Sequence, residues 1–262
     1  MKLAAFNVNS ILARLPRILA WLDAAKPDAV VLQEIKCAND RFPALEFEER
    51  GYNLVIHGQK TYNGVALLSK HPIDDVRKGI PGDDSDDQAR YVEALICPSG
   101  AKPVRLCGLY APNGNPAPGP KYDYKLAWLK RLKAHAESLL ALEEAFILAG
   151  DFNVIPQAED VYNPKAWETD ALFLPQARAA FREIVNLGLT DAIRQIHPDE
   201  TLYTFWDYQA GAWERNNGLR IDHLLLSPQV ADRLKDAGVD RDERGRDKPS
   251  DHAPVWVEIS DQ

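Results

Sequence analysis

Seven polar residues could do chemistry together: Asn7, Glu34, Asp151, Asn153, Asp222, Asp251 and His252. Asp151 and Asn153 close the stretch Ala-Phe-Ile-Leu-Ala-Gly-Asp-Phe-Asn at residues 145–153. Its short apolar run stops at a turn residue, which reads as a buried central strand. In α/β sheets chemistry gathers at strand ends, and residues two apart in extended chain face the same way. Asp151 and Asn153 are therefore expected to aim at one point above a sheet. Each of the seven is weak alone, because acids and amides are everyday loop and cap residues and a lone histidine is more often structural. Together they supply what hydrolysis of a phosphodiester needs. A hard divalent cation such as Mg²⁺ takes one or two carboxylates and keeps several waters. A base must hold the attacking water, and donors or positive charge must meet the charge that develops on the phosphoryl oxygens. A histidine oriented by a carboxylate does the last job, because the carboxylate fixes its tautomer and favours the imidazolium.

These residues need strands to carry them. Leu3 to Val8 reads as a first strand ending in Asn7-Val8-Asn9-Ser10, followed by a helix from about Leu15 to Ala25 with Leu15, Ile18, Leu19 and Leu22 on one face. Pro27 stops it, and Asp28 to Gln33 is a second buried strand with Glu34 just past its end. Further strands are expected at Tyr52–His57, Gly64–Ser69, Tyr91–Ile96, Val104–Tyr110, Thr201–Tyr208, Leu219–Ser227 and Val255–Ile259. Residues 79–90 form an acidic Gly/Asp-rich loop, and residues 111–120 a rigid Pro/Gly loop. Helical spacing of Leu126, Leu129, Leu132, Ala136, Leu139 and Leu140 predicts a long helix over Lys121–Glu144, and Pro175–Leu187 a shorter one closed by Gly188. Residues 232–248 alternate charge and read as a solvated loop around a short strand. No repeat or linker interrupts the chain, so one domain over residues 1–262 is expected.

Of the 262 residues, 45% are hydrophobic, enough for a substantial core. The net charge of −8 has the wrong sign for a protein that coats nucleic acid by bulk electrostatics, though it leaves room for a local site. Cys37, Cys97 and Cys107 lack metal spacing and read as free thiols in a reducing compartment. Polar Asn7 arrives too early for a signal-peptide core, and no apolar run approaches membrane length. A cytoplasmic protein without a membrane partner is expected.

The motifs, taken in order, resemble those of the exonuclease III class of apurinic/apyrimidinic (AP) endonucleases, within the endonuclease/exonuclease/phosphatase superfamily of DNase I-like fold. They are Phe6-Asn7-Val8-Asn9, Leu32-Gln33-Glu34, Gly58-Gln59-Lys60, Gly64-Val65-Ala66-Leu67-Leu68-Ser69, Tyr110-Ala111-Pro112-Asn113-Gly114, Gly150-Asp151-Phe152-Asn153, Thr204-Phe205-Trp206-Asp207-Tyr208, Gly218-Leu219-Arg220-Ile221-Asp222 and Pro249-Ser250-Asp251-His252-Ala253-Pro254. The resemblance covers nearly the whole chain. It implies that Glu34 is the principal metal ligand, supported by Asn7 and Asp251, for Mg²⁺ or Mn²⁺ in its place. It implies that Asp151 positions and deprotonates the attacking water, with Asn153 fixing Asp151 and contacting the phosphate. Tyr110 would offer its phenol to the phosphate or leaving oxygen, and His252, held by Asp222, would stabilise the phosphoryl charge.

The resemblance also implies that Phe205, Leu219 and Ile221 form an apolar pocket for an extrahelical sugar that has lost its base. Such a residue costs little to extrude and has no base edge to hydrogen-bond. Strand residues alternating into a core would look the same. Gln59, Lys60 and Tyr62 match a loop that touches the DNA backbone, and Lys121 and Lys125 are placed to meet phosphates; each is equally well an ordinary solvated side chain. In Ala171-Leu172-Phe173-Leu174-Pro175 the similar proteins often carry a smaller residue before the Phe, so Leu172 is expected to narrow the approach and shift activity between internal abasic sites and 3′ ends.

The fold expected is a four-layer α/β sandwich: two packed, mostly antiparallel β-sheets with helices outside and the site at one end. The function expected is a Mg²⁺-dependent DNA-repair phosphodiesterase, acting as a monomer on duplex DNA in the cytoplasm and nucleoid. It would incise 5′ to abasic sites and trim 3′ ends. One alternative is a same-fold enzyme acting on a lipid or small-molecule phosphoester, which predicts a membrane-facing apolar loop or a basic headgroup pocket that the sequence lacks. The other is a DNA-binding module without catalysis, which predicts a gap in the acid/amide/histidine set.

Overall fold

In the computed structural model, which describes residues 1–261, alternation along the strands sorts side chains into layers. Four strands come first: β1 (Lys2–Asn7), β2 (Ala29–Gln33), β3 (Asn53–His57) and β4 (Val65–Ser69). Next are β5 (Ile73–Lys78), β6 (Tyr91–Ile96), β7 (Val104–Tyr110), β8 (Phe146–Asp151), β9 (Thr190–Asp191) and β10 (Asp222–Leu226). β11 (Leu234–Val239) and β12 (Val255–Ile259) return to the first four. They make two six-stranded sheets, ordered β11-β12-β1-β2-β4-β3 and β5-β6-β7-β8-β10-β9. Each sheet has one parallel pair, β1 with β2 and β7 with β8; the other pairs are antiparallel.

Leu3, Ala5, Val31 and Leu67 of the first sheet share a core with Val92, Leu106, Ile147 and Leu224 of the second. The residues between them, Ala4, Phe6, Val30 and Leu32, pack with Ile18, Trp21 and Leu22 of the helix Ile11–Ala25. On the opposite side Cys107, Leu109, Phe146 and Leu148 pack with Trp128, Leu129 and Phe181 of the helices Pro120–Ala141 and Pro175–Val185. Strands covered on both faces must be apolar at every position, hence the unbroken run of β8. This is the four-layer sandwich expected.

Some boundaries differ, each for a local reason. The first helix starts at Ile11, before Pro16, because the Ser10 hydroxyl accepts the Ala13 N–H as an N-cap. The long helix ends at Ala141, since Glu143 takes a left-handed φ of 56°. Thr201–Tyr208 is not a strand: only Phe205 bridges, to Leu219 and His252. The polar edge strand β5, exposed along most of its length, shows no alternation in sequence.

Candidate active site

Strand pairing assembles the site. β8 and β10 run antiparallel with Asp222 opposite Asp151. One acid thus comes from the end of a strand and the other from the start of its neighbour. β1 and β2 run parallel with Asn7 opposite Gln33, which leaves Glu34 one residue beyond. Gly150 has φ +145°, and a Cβ there would lie 2.1 Å from the Leu109 carbonyl oxygen. Only glycine lets β8 pass β7 closely enough to deliver Asp151.

The Asn7 amide nitrogen donates to Glu34 Oε1 and to Asp151 Oδ2, each at 2.9 Å. His252 Nδ1 lies 2.8 Å from Asp222 Oδ2, and its Nε2 faces Asp151 Oδ2 at 3.8 Å. One donor atom from each of Glu34, Asp151 and His252 lies within 4.8 Å of the others. Residues from opposite ends of the sequence therefore meet at one end of the sandwich. The Phe205 ring stands edge-on to His252 at 5.0 Å between centroids. The Ser250 hydroxyl donates to the Asn7 carbonyl at 2.7 Å and accepts from His252 N–H, tying the last loop to β1. Thr204 Oγ1 accepts from the N–H groups of Ile221 and Asp222, each at 3.1 Å, fixing the start of β10.

Burial and neighbouring charges set the protonation states. Burial alone lowers His252, but the charge and hydrogen bond of Asp222 outweigh it and hold the imidazolium well above the usual histidine range. Burial and the charge of Asp222 raise Asp151, with His252 opposing. Burial raises Glu34, yet Lys36, the Asn7 amide and His252 together bring its carboxyl below the ordinary value. Tyr110 is raised by burial and by the Glu34 and Asp151 carboxylates, so its phenol keeps its proton as a donor.

The donor set fits a hard divalent ion, because Glu34 and Asp151 offer carboxylate oxygens at short range. The His252 imidazolium has no lone pair to share, so in this charge state it is not a metal ligand. Lys36 marks the preference for positive charge: its ammonium lies 2.8 Å from Glu34 Oε2 and donates to Asn9 Oδ1. Asn9 Nδ2 in turn holds Asp251 Oδ1 at 3.0 Å. Of the expected ligands, only Glu34 presents an oxygen here: Asn7 turns its NH2 to the carboxylates while its Oδ1 accepts the Asn9 N–H at 3.1 Å, and Asp251 joins through Asn9. Sequence reasoning missed Lys36, Asn9, Ser250 and Thr204 as site residues. Lys36 was findable, standing two residues from Glu34.

Other expectations need correction. Asn153 leaves the extended conformation at φ 50°, so it does not simply share the direction of Asp151. Its N–H donates to Asp151 Oδ1 at 2.8 Å, its Nδ2 donates to the Ala111 carbonyl at 2.9 Å, and its Oδ1 accepts from Asn113 Nδ2 at 3.3 Å. Its contact with Asp151 is made by the backbone, not by the side chain. Lys125 is not a surface contact: it is 0% exposed and donates to three backbone carbonyls. A long side chain on an amphipathic helix looks solvated in sequence until loops close over it. Gln59 points inward, its Oε1 accepting from Asn63 Nδ2 and from the Ala89 N–H. Lys60, Tyr62 and Lys121 are exposed, as a contact with DNA requires. Phe205, Leu219 and Ile221 do cluster, and Leu172, Phe173 and Trp167 pack among them.

The sequence of this chain matches the profile of the Endonuclease/Exonuclease/phosphatase family over residues 4–252. This chain belongs to that family. It is 34% identical to exodeoxyribonuclease III of Haemophilus influenzae over 99% of this chain and 100% of the other. The same fold is found in an AP endonuclease from Archaeoglobus fulgidus, at a TM-score of 0.93 and 38% identity, with 99% of each chain covered. A 3′ phosphatase from Neisseria, solved with a product DNA hairpin, superposes at a TM-score of 0.94 and 40% identity, again over 99% of each chain. Membership of the endonuclease/exonuclease/phosphatase family accounts for the site: acids and a histidine brought to one end of a two-sheet sandwich. No helix among the described residues is long and apolar enough to cross a membrane.

Proposed function

We propose that this chain is a divalent-metal-dependent DNA-repair hydrolase that breaks the P–O3′ bond at damaged 3′ ends and on the 5′ side of abasic sites. The observation that carries this is the meeting of Glu34, Asp151 and His252 within 4.8 Å, with Asp222 behind the histidine. Its relatives support the substrate class, since they bear the names of DNA exonuclease, AP endonuclease and 3′ phosphatase. One reaction covers all three: water adds to phosphorus and the 3′ oxygen leaves as a hydroxyl.

Glu34 and Asp151 would hold Mg²⁺ or Mn²⁺ through their carboxylate oxygens, with the Asn7 NH2 orienting both; the ion would neutralise phosphate charge and polarise the P–O bonds. Asp151, raised by burial and by Asp222, accepts the proton of the attacking water. The His252 imidazolium donates to a phosphoryl oxygen as negative charge grows there. Tyr110, protonated beside Glu34, donates to the phosphate or the departing oxygen. Phe205, packed edge-on against His252, excludes water from that side. Lys60, Tyr62 and Lys121 are the exposed groups proposed to touch the DNA backbone. With so few basic contacts and a net charge of −8, the salt dependence of binding is shallow for a DNA-binding protein.

Leu172 favours 3′ ends over internal sites. It is packed with Phe205, Leu219 and Ile221, the side chains that would otherwise receive an extrahelical sugar. The test is a pair of labelled duplexes, one with an internal abasic site and one with a 3′-phosphate end, each with and without EDTA. We expect Mg²⁺-dependent release of 3′-hydroxyl products from both, faster from the 3′-phosphate. Absence of cleavage on either duplex, with turnover of an inositol phosphate instead, would replace this reading with that of a small-molecule phosphatase.

A further inference from the structure

The helix Pro120–Ala141 sends one lysine beneath the site, where its ammonium gathers three loops. Lys125 Nζ donates to the carbonyl of Asn113 at 3.0 Å, to that of Ala171 at 3.1 Å, and to that of Asn153. These acceptors lie in the loop after β7, the loop after β8 and the loop leading into Pro175–Val185. Three carbonyl acceptors call for the ammonium and its three donors, one to each segment, although burial pulls Lys125 down to about 7 against the charges of Asp151 and Asp170. Gly114 accommodates the lysine stem: it has φ +93°, and a Cβ there would lie 2.7 Å from Lys125 Cδ.

A second linkage joins the same loops through their side chains. Asn113 Nδ2 donates to Asn153 Oδ1 at 3.3 Å, and Asn113 Oδ1 accepts from Asn115 Nδ2 at 3.0 Å. Asn115 Oδ1 accepts the Ala171 N–H at 3.1 Å, and Asn115 Nδ2 reaches Asp170 Oδ1 at 3.1 Å. Asp170 Oδ1 in turn accepts the Leu172 N–H at 2.8 Å. The backbone that braces Asp151 is thereby connected twice to the backbone that carries Leu172.

We propose that Lys125 is a positioning residue for the reaction: it fixes the Asn153 loop and the Leu172 loop relative to each other, and so sets the split between 3′-end hydrolysis and internal abasic incision. This rests on the DNA-hydrolase reading above. Simple helix packing does not call for this lysine. A methionine of similar length would fill the space without burying a charge, but it would leave the three carbonyls without their donor, which destabilises the fold wherever the acceptor is buried. What an apolar side chain does not do is hold three carbonyl oxygens at fixed separations.

The test compares Lys125→Met with the parent and with Lys130→Met, an exposed lysine on the same helix. In Lys125→Met we expect kcat to fall roughly 10- to 100-fold, the scale of a small misplacement of catalytic groups. DNA affinity stays within twofold or so of the parent, since no phosphate contact is lost, and the ratio of 3′-end to abasic cleavage changes. Lys130→Met behaves as the parent. Amide hydrogen exchange gives a readout independent of activity: residues 113–115, 153 and 171–172 lose protection in Lys125→Met. Asn115→Ala cuts the side-chain linkage while leaving the ammonium, and gives the same pattern more weakly, so a failure of Lys125→Met to fold leaves the idea testable. Unchanged kcat and exchange in these variants overturn it. So does a loss of DNA affinity with the salt slope reduced by about 1, the mark of a phosphate contact. A parent protein that cleaves neither duplex overturns the functional reading instead, and exchange then decides the role of Lys125.

Discussion

Asp222 stands directly opposite Asp151 in the β8–β10 pair, and its carboxylate is turned to His252 Nδ1 at 2.8 Å. Two acids in register thus have different neighbours: one keeps a histidine charged, the other accepts from the Asn7 amide and faces the far ring nitrogen of that histidine. Replacing Asp222 by Asn removes the charge that holds His252 as an imidazolium. We expect turnover to fall by about 10²- to 10³-fold, as when one preorganised donor is lost, with DNA affinity little changed. Single-turnover cleavage beside a binding titration separates the two.

Asp151→Asn keeps the size and most hydrogen bonds of the side chain but removes its basicity. Turnover on both duplexes is expected to drop by about 10²- to 10⁴-fold, while the variant still binds abasic DNA. A variant that loses binding and turnover together would assign Asp151 a structural role.

Glu34 and Asp151 put two carboxylates at short range, so a divalent cation should stabilise the folded state by mass action. Adding Mg²⁺ in EDTA-treated buffer is expected to raise Tm in a concentration-dependent way. Glu34→Gln loses most of that rise and also the chelator-sensitive cleavage. A melting curve indifferent to Mg²⁺ in the parent protein argues against this ion site.

Leu172→Gly opens the cluster formed with Phe205, Leu219 and Ile221. We expect the rate ratio of abasic incision to 3′-phosphate removal to rise by roughly tenfold, about 1.4 kcal/mol between the two transition states. Emptying a buried leucine site costs about 3 kcal/mol of stability, so rates are compared below the unfolding transition. An unchanged ratio removes Leu172 as the determinant.

His223 makes the fold acid-sensitive. Burial, with the Arg220 guanidinium beside it, pushes its imidazole down to about 4, against the pull of Asp191 and Asp160. Its Nδ1 accepts from Arg220 and its Nε2 donates to the Val154 carbonyl, the neutral tautomer. The unfolded chain takes up a proton near the ordinary histidine value while the folded one resists to about 4, so stability falls as pH drops through that window. The loss reaches about 3 kcal/mol. Urea unfolding from pH 7 to 4 measures it, and His223→Gln should flatten the decline.

Much of the frame was readable because its signals are local. β6 and β7 fall at the boundaries expected, since alternation and turn residues mark them without reference to the rest of the chain. β5 was invisible because Ile73–Lys78 buries almost nothing. Thr204–Tyr208 carries strand-like residues, yet only Phe205 forms β-bridges. Lys125 and Gln59 were taken for surface groups because helix and loop positions do not say what folds over them.

The sequence by itself determined the kind of chemistry. Carboxylates, amides and one histidine at strand ends can serve a metal and a phosphate, and apolar runs of strand and helix length require a layered sandwich. Tertiary structure alone decided which polar groups meet and in what charge state. The register that sets Asp222 against Asp151, the burial that raises Asp151 and the ammonium that ties Asn153 to Ala171 all depend on contacts between distant segments. Protonation and hydrogen-bonding energies follow the dielectric and the neighbours a group acquires on folding, and neither exists in the extended chain.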